Sequence, residues 1–265
     1  MYKLGFIGCG NMATAIIGGA VSSDYLKGEE ICVFDVDNSK AEFLNKEYGV
    51  NTSSTVEDIA ENCEFIVLAV KPQVFPVVLP QIKEYVKESV VVSIGAGKTL
   101  EYIGSFLKCE TSVIRVMPNI NAKVGASMSA VCRNEFADEN ALTFVKGLCK
   151  SFGEVMELSE SQFPLFGVIA GCSPAYAFMF IDSMAREAVK NGMKKDEALK
   201  ICAQAVLGSA KMILEDKENN PWALINSVCS PGGTTIEGVA KLQEEKFDTA
   251  VMDAVKASLD KDKKL

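Results

Sequence analysis

The stretch Lys3-Leu4-Gly5-Phe6-Ile7-Gly8-Cys9-Gly10-Asn11-Met12-Ala13 decides the fold. Lys3 to Ile7 predicts a strand and Asn11 to Val21 a helix, which leaves Gly8-Cys9-Gly10 to turn the chain between them. Gly8 to Ala13 therefore reads G-x-G-x-x-A in the strand–turn–helix setting that gives this pattern its meaning. Gly8 permits the tight turn, Gly10 lets a ligand approach the backbone, and the small Ala13 lets helix and strand pack closely. The free N–H groups of the helix start attract phosphate oxygens. Gly8, Gly10, Asn11 and Met12 are the first candidate contacts, and the ligand they predict is a dinucleotide.

Beyond this turn, Ile31 to Phe34, Phe65 to Val70, Val90 to Ile94 and Ser112 to Met117 predict strands. Ser39 to Glu47, Val56 to Glu61, Val77 to Val86 and Thr99 to Phe106 predict helices between them. The strands are apolar at nearly every position, which suits a parallel sheet covered on both faces. The alternation predicts an α/β, Rossmann-like, doubly wound sheet. Such sheets hold ligands at the C-terminal ends of their strands. That rule nominates Asp35, Ala69, Val70, Lys71, Pro72, Ala96, Gly97, Met117 and Asn119 as further cofactor contacts. At the end of the second strand, Asp35 would accept both ribose hydroxyls, although capping the next helix is its competing role. No cation stands beside it, since Val36 follows and the nearest is Lys40. The expected cofactor is NADH in preference to NADPH.

From about Pro164 the pattern changes to helical periodicity, over Pro174 to Asn191, Lys195 to Glu215, Pro221 to Val228 and Phe247 to Leu259. The expected organisation is a dinucleotide-binding domain at 1–160 and an all-helical domain at 161–265. Tyr176-Ala177-Phe178-Met179-Phe180-Ile181 is apolar on most sides of a helix, so a homodimer or higher homo-oligomer is expected. Within the helical half, Ser230-Pro231-Gly232-Gly233-Thr234-Thr235-Ile236-Glu237-Gly238 concentrates turn residues before a helix start, which suits an anion.

Composition narrows the chemistry. The 265 residues carry a net charge of -8, which argues against nucleic acid as a partner. Runs such as Phe65 to Val70 are too short to span a bilayer, and the N-terminus does not resemble a secretory signal. Nine scattered cysteines, odd in number and without a C-x-x-C pair, predict reduced thiols, a cytoplasmic setting and no metal site. Histidine is absent, which excludes Ser-His and Cys-His nucleophiles in this chain. Any proton must come from a carboxylate, lysine, tyrosine, hydroxyl, water or the substrate.

Taken with Ala69-Val70-Lys71-Pro72-Gln73, Arg115-Val116-Met117-Pro118-Asn119, Pro174-Ala175-Tyr176 and Ser230 to Thr235, the fingerprint makes the chain resemble pyrroline-5-carboxylate reductase nearly end to end. The resemblance implies NAD(P)H-dependent reduction of the cyclic imine L-1-pyrroline-5-carboxylate to L-proline, the last step of proline biosynthesis. It also implies that Ser230 and the N–H groups of Gly233, Thr234 and Thr235 hold the substrate carboxylate. The Thr235 hydroxyl would meet the ring nitrogen as the catalytic group. The helical domains would interleave as a dimer, so that each active site includes helices of the partner. Two departures stand out: Asp35-Val36 replaces the family's frequent Asn-Arg, and Ala170-Gly171-Cys172-Ser173 replaces its Ser-Gly-Ser-Gly. A β-hydroxyacid dehydrogenase-like oxidoreductase and a non-catalytic NAD(H)-binding redox sensor are the alternative readings.

Overall fold

Strands that are apolar on both sides need cover on both sides, and this chain supplies it with a helix after almost every strand. The computed structural model describes residues 1–215 and 220–263. The first half runs β1 (Tyr2–Ile7), α1 (Asn11–Ser22), β2 (Ile31–Phe34), α2 (Asn38–Tyr48), β3 (Asn51–Thr52), α3 (Val56–Asn62) and β4 (Cys63–Leu68). It continues with α4 (Phe75–Ile82), β5 (Val90–Ser93), α5 (Leu100–Gly104), β6 (Val113–Met117), β7 (Ser127–Arg133), α6 (Glu139–Lys150) and β8 (Gly153–Glu157). These form one eight-stranded sheet of order β3-β2-β1-β4-β5-β6-β7-β8. Pairing is parallel from β3 through β6; β7 runs antiparallel to β6, and β8 parallel to β7. β1 pairs with β2 on one side and β4 on the other, so the chain order reverses beside the Gly8 turn.

Alternation along each strand divides the core in two. Phe6, Phe65 and Val67 pack with Ile16 and Ile17 of α1 on one face. Ile7, Ile66 and Leu68 pack with Ile59 of α3 and Phe75 and Leu79 of α4 on the other. Residues one apart in a strand thus serve opposite layers.

The sheet is larger than the five strands legible in the sequence. β7 buries Ser127 and Ser129, whose hydroxyls lie 3.3 Å apart, where an apolar run would have advertised a strand. The edge strand β8 carries exposed Glu154 and Glu157 and has no apolar face to betray it.

The chain divides into compact units Met1–Gly171 and Cys172–Lys264. α7 (Phe163–Phe166) and a π-helical turn at Gly167–Cys172 lead into α8 (Ser173–Lys190). Then come α9 (Lys195–Glu215), α10 (Pro221–Val228), α11 (Thr234–Glu244) and α12 (Phe247–Asp262). Tyr176 Oη lies 2.6 Å from Ser258 Oγ and ties α8 to α12. Among the described residues of this second unit, only Pro174, Ala185 and Ala198 are buried. Phe178, Met179 and Leu214 are 60%, 74% and 84% exposed in the single chain. The apolar helix faces are therefore not covered by their own bundle.

The helical run Glu160–Lys190 contains an 18-residue stretch with a mean hydropathy of 1.6 and is, by length and composition only, long and apolar enough to cross a membrane. Pro164, Gly167, Gly171, Ser173 and Pro174 break it into short pieces in the sequence, whereas the backbone joins those pieces into one helical segment.

Candidate active site

The C-terminal ends of β1, β2, β4, β5 and β6 surround a cavity of about 850 Å³. Its lining brings together Gly8, Gly10, Asn11, Met12 and Asp35 from the first two strand ends. Ala69, Val70, Lys71 and Pro72 come from the third, and Ala96 and Met117 from the last two. Gly97 and Asn119 do not line it. Asn119 is buried, its side chain bonded to the chain itself.

In the lining of this cavity the Gly8 turn lies close against the loop after β4. A Cβ on Gly8 would sit 2.8 Å from the Ala69 carbonyl carbon, and its φ of +104° lies where side chains are strained. Gly10 caps α1, and a Cβ there would meet nothing within 4 Å, so the space above the helix start is open. The first α-helical bond runs from the Thr14 N–H to the Gly10 carbonyl, at 3.0 Å. The N–H groups of Asn11, Met12 and Ala13 precede it and have no intrahelical acceptor. Lys71 and Lys123 add positive charge to the lining. An open, donor-rich helix start among cations fits the diphosphate of a dinucleotide.

Asp35 does two jobs. Its Oδ2 accepts the Cys9 N–H at 2.7 Å and its Oδ1 the Asp37 N–H at 2.9 Å, which braces the glycine turn against β2. It also lines the cavity, with Lys40 Nζ 3.9 Å from Oδ1. The same ammonium lies 3.5 Å from Asp37 Oδ2. The Ser39 hydroxyl, donating at 2.6 Å, holds the Asp37 carboxyl below its usual range. This end of the cavity thus places two carboxylates around one lysine. Cys9 is no nucleophile: burial, then the neighbouring Asp35, pushes its thiol up to about 12.

Lys123 and Ile120 were not foreseen. Both line the cavity from a 3-10 turn, Ile120–Val124, which carries no periodic signal in so short a stretch. Arg115, from the motif before Met117, stays inside the protein. It donates to Glu160 Oε1 at 3.0 Å and stacks over Phe163, 4.5 Å from the ring centre. The same Oε1 accepts the Leu100 N–H at 2.7 Å, so this pair ties β6 to the start of α5.

The second cradle lies in the helical unit. The Gly233 N–H donates to the Ser230 carbonyl at 3.0 Å, and Gly232 has a φ of +68°. Proline at the second position and positive-φ glycine at the third are the requirements of a type II turn. The turn delivers the chain to Gly233, the N-cap of α11. With the Gly233 N–H closing the turn, Thr234 and Thr235 stand first among the helix residues whose N–H groups lack an intrahelical acceptor. Both are exposed in the single chain. The stretch Ser230 to Thr235 is thus a tight turn leading into a helix start without a side-chain cap, with a hydroxyl at each of its first two helical positions.

Known proteins resemble the chain over nearly its whole length. A family model described as pyrroline-5-carboxylate reductase dimerisation matches residues 160–265. One described as NADP oxidoreductase, coenzyme F420-dependent, matches residues 3–97. The pyrroline-5-carboxylate reductase of Escherichia coli is 42% identical over 99% of this chain and 98% of its own length. A solved pyrroline-5-carboxylate reductase from Coxiella burnetii superposes with a TM-score of 0.92 at 29% identity, covering 99% of this chain and 98% of that one. A pyrroline carboxylate reductase from Plasmodium falciparum, solved with NADP bound, has a TM-score of 0.88 at 30% identity, covering 99% and 97%. The chain belongs to the pyrroline-5-carboxylate reductase family.

Proposed function

We infer that the chain reduces L-1-pyrroline-5-carboxylate to L-proline with NAD(P)H, as the last step of proline biosynthesis, and that NADH is the preferred donor. The observation that carries the reading is the uncapped start of α11 behind the Ser230–Gly233 turn, in a chain that also has an open glycine cradle at α1. One cradle suits a small carboxylate and the other a diphosphate.

A bound nicotinamide supplies a hydride to the imine carbon. The chain's own part is binding, orientation and a proton. The N–H groups of Thr234 and Thr235, with the Ser230–Gly233 turn behind them, hold the carboxylate. The C=N π pair moves onto the ring nitrogen as the hydride arrives, and the Thr235 hydroxyl holds that nitrogen while it takes its proton from water or arrives already protonated. Such chemistry asks for positioning more than for a strong base, which suits a chain without histidine.

NADH preference rests on the second strand end. A 2′-phosphate there would meet Asp35 and Asp37 against Lys40 alone, whereas ribose hydroxyls can donate to the carboxylates. The exposed apolar faces of α8 and α9 belong to a homo-oligomer built on the dimerisation region, with a dimer as its unit. Nine free thiols suit the reducing cytoplasm.

The test is kinetic. The purified protein should turn over pyrroline-5-carboxylate with a kcat/KM for NADH above that for NADPH. A strong NADPH preference would overturn the reading of Asp35 and leave the reaction standing. Oxidation of 3-hydroxyisobutyrate with NAD, without imine reduction, would replace the reaction by the hydroxyacid alternative. NADH binding with no turnover would indicate a sensor.

A further inference from the structure

Ala170 and Pro174 stand four residues apart, the spacing of an α-helical hydrogen bond. Proline has no N–H to donate, and its ring collides with the carbonyl four residues earlier. The backbone widens into the π-helical turn Gly167–Cys172 just before α8, one of the ways in which a helix absorbs such a break. Ala170 is only 8% exposed, so its carbonyl has lost its α-helical donor where water has little access. A buried carbonyl in that position requires a partner. Asn119 Nδ2 provides one at 2.9 Å.

The rest of the Asn119 residue points the other way. Its Oδ1 accepts the Asn121 N–H at 3.2 Å, capping the 3-10 turn Ile120–Val124, and its own N–H donates to Ser127 Oγ at 3.2 Å. That turn puts Ile120 and Lys123 on the cavity. We propose that Asn119 is a positioning residue for the dinucleotide, and that it holds the Ile120–Lys123 rim in place by satisfying the carbonyl that Pro174 deprives of its donor. The proposal rests on the reading of the cavity as the dinucleotide site. It gives Asn119, expected as a cofactor contact, a different role: the carboxamide acts through the rim.

A double-mutant cycle of Asn119→Ala and Pro174→Ala tests it, with the unfolding equilibrium in urea and the NADH dissociation constant as readouts. Asn119→Ala alone should shift the unfolding equilibrium about tenfold towards the unfolded state, the scale of leaving a buried carbonyl unpaired. It should also weaken NADH binding severalfold. In the Pro174→Ala background, residue 174 again has an N–H for Ala170, and the stability effect of Asn119→Ala should shrink to less than half on a logarithmic scale. If Asn119→Ala does not fold, Asn119→Ser carries the same cycle. An Asn119 effect of equal size with and without Pro174, or an unchanged NADH dissociation constant, overturns the proposal. Failure of the wild-type protein to bind NADH would instead overturn the reading of the cavity, while the Asn119–Pro174 coupling stayed measurable.

Discussion

Thr235 is the residue on which the proposed chemistry turns. It stands second in α11, so its N–H is among the four that a helix leaves without an acceptor, and its hydroxyl sits at the same end. Thr235→Ala keeps the N–H and removes only the hydroxyl. We expect kcat to fall by roughly 10²-fold, the lower range for loss of a positioned proton-handling group, while NADH affinity stays within about twofold. Steady-state kinetics with pyrroline-5-carboxylate, together with NADH titration by fluorescence, would check it. An equal loss in both quantities would remove Thr235 from the substrate. The two glycines of the fingerprint illustrate how unlike residues of one type can be. Gly8 is needed because of its own backbone angle and the Ala69 backbone beside it, whereas Gly10 has open space where a side chain would go. Only the first is dictated by the fold.

At the level of elements, the short segment before α11 is shaped by one positive φ. An alanine at Gly232 would sit in the left-handed region at a cost of about 1–2 kcal/mol, and the Ser230–Gly233 turn would relax to avoid it. Asparagine tolerates that region better. Gly232→Ala should therefore raise the KM for pyrroline-5-carboxylate severalfold with NADH binding unchanged, and Gly232→Asn should recover most of the loss. Identical kinetics for both variants and wild type would mean that the turn does not orient the cradle. The same scale explains what sequence reading found and what it missed. β1, β4 and β5 are apolar on both faces and announced themselves. β7 hides its burial behind Ser127 and Ser129, which satisfy each other and the Asn119 N–H. Polar residues that solve a buried hydrogen-bonding problem look, in sequence, like a loop.

Across the whole molecule, the buried thiols set a limit on alkaline stability. Burial raises Cys9, Cys63, Cys132 and Cys149 from the ordinary 9.0 to about 12, and Cys32 to about 11. All five lie in the unit Met1–Gly171. Below pH 9 both folded and unfolded chains hold these protons, so stability does not depend on them. Between pH 9 and the folded values only the unfolded chain ionises, and stability falls as pH rises. Each group approaches a slope of about 1.4 kcal/mol per pH unit, so five together approach about 7 kcal/mol per pH unit. Thermal melting from pH 8 to 11 should show a steady midpoint up to about pH 9 and a steep decline above it. A flat profile to pH 11 would contradict the burial of these thiols. The helical unit depends on something else: with three buried residues among those described, its apolar faces are held by association.

Sequence alone determined the local features that are written in neighbouring residues. These are the glycine turn between a strand and a helix, the parallel β/α alternation, the change to helices after Pro164, and the Pro-Gly-Gly turn before Thr234. Each rests on short-range sterics or on periodicity, which the chain carries wherever it goes. The tertiary structure decided which distant residues share a wall. It brought Lys123 to the cavity, joined Asp35 to the Cys9 N–H across 26 residues, and set Asn119 against the Ala170 carbonyl across 51. The two hydrogen-bonded pairings arise because a polar group withdrawn from water must find a partner, and which partner lies within reach is a property of the folded chain.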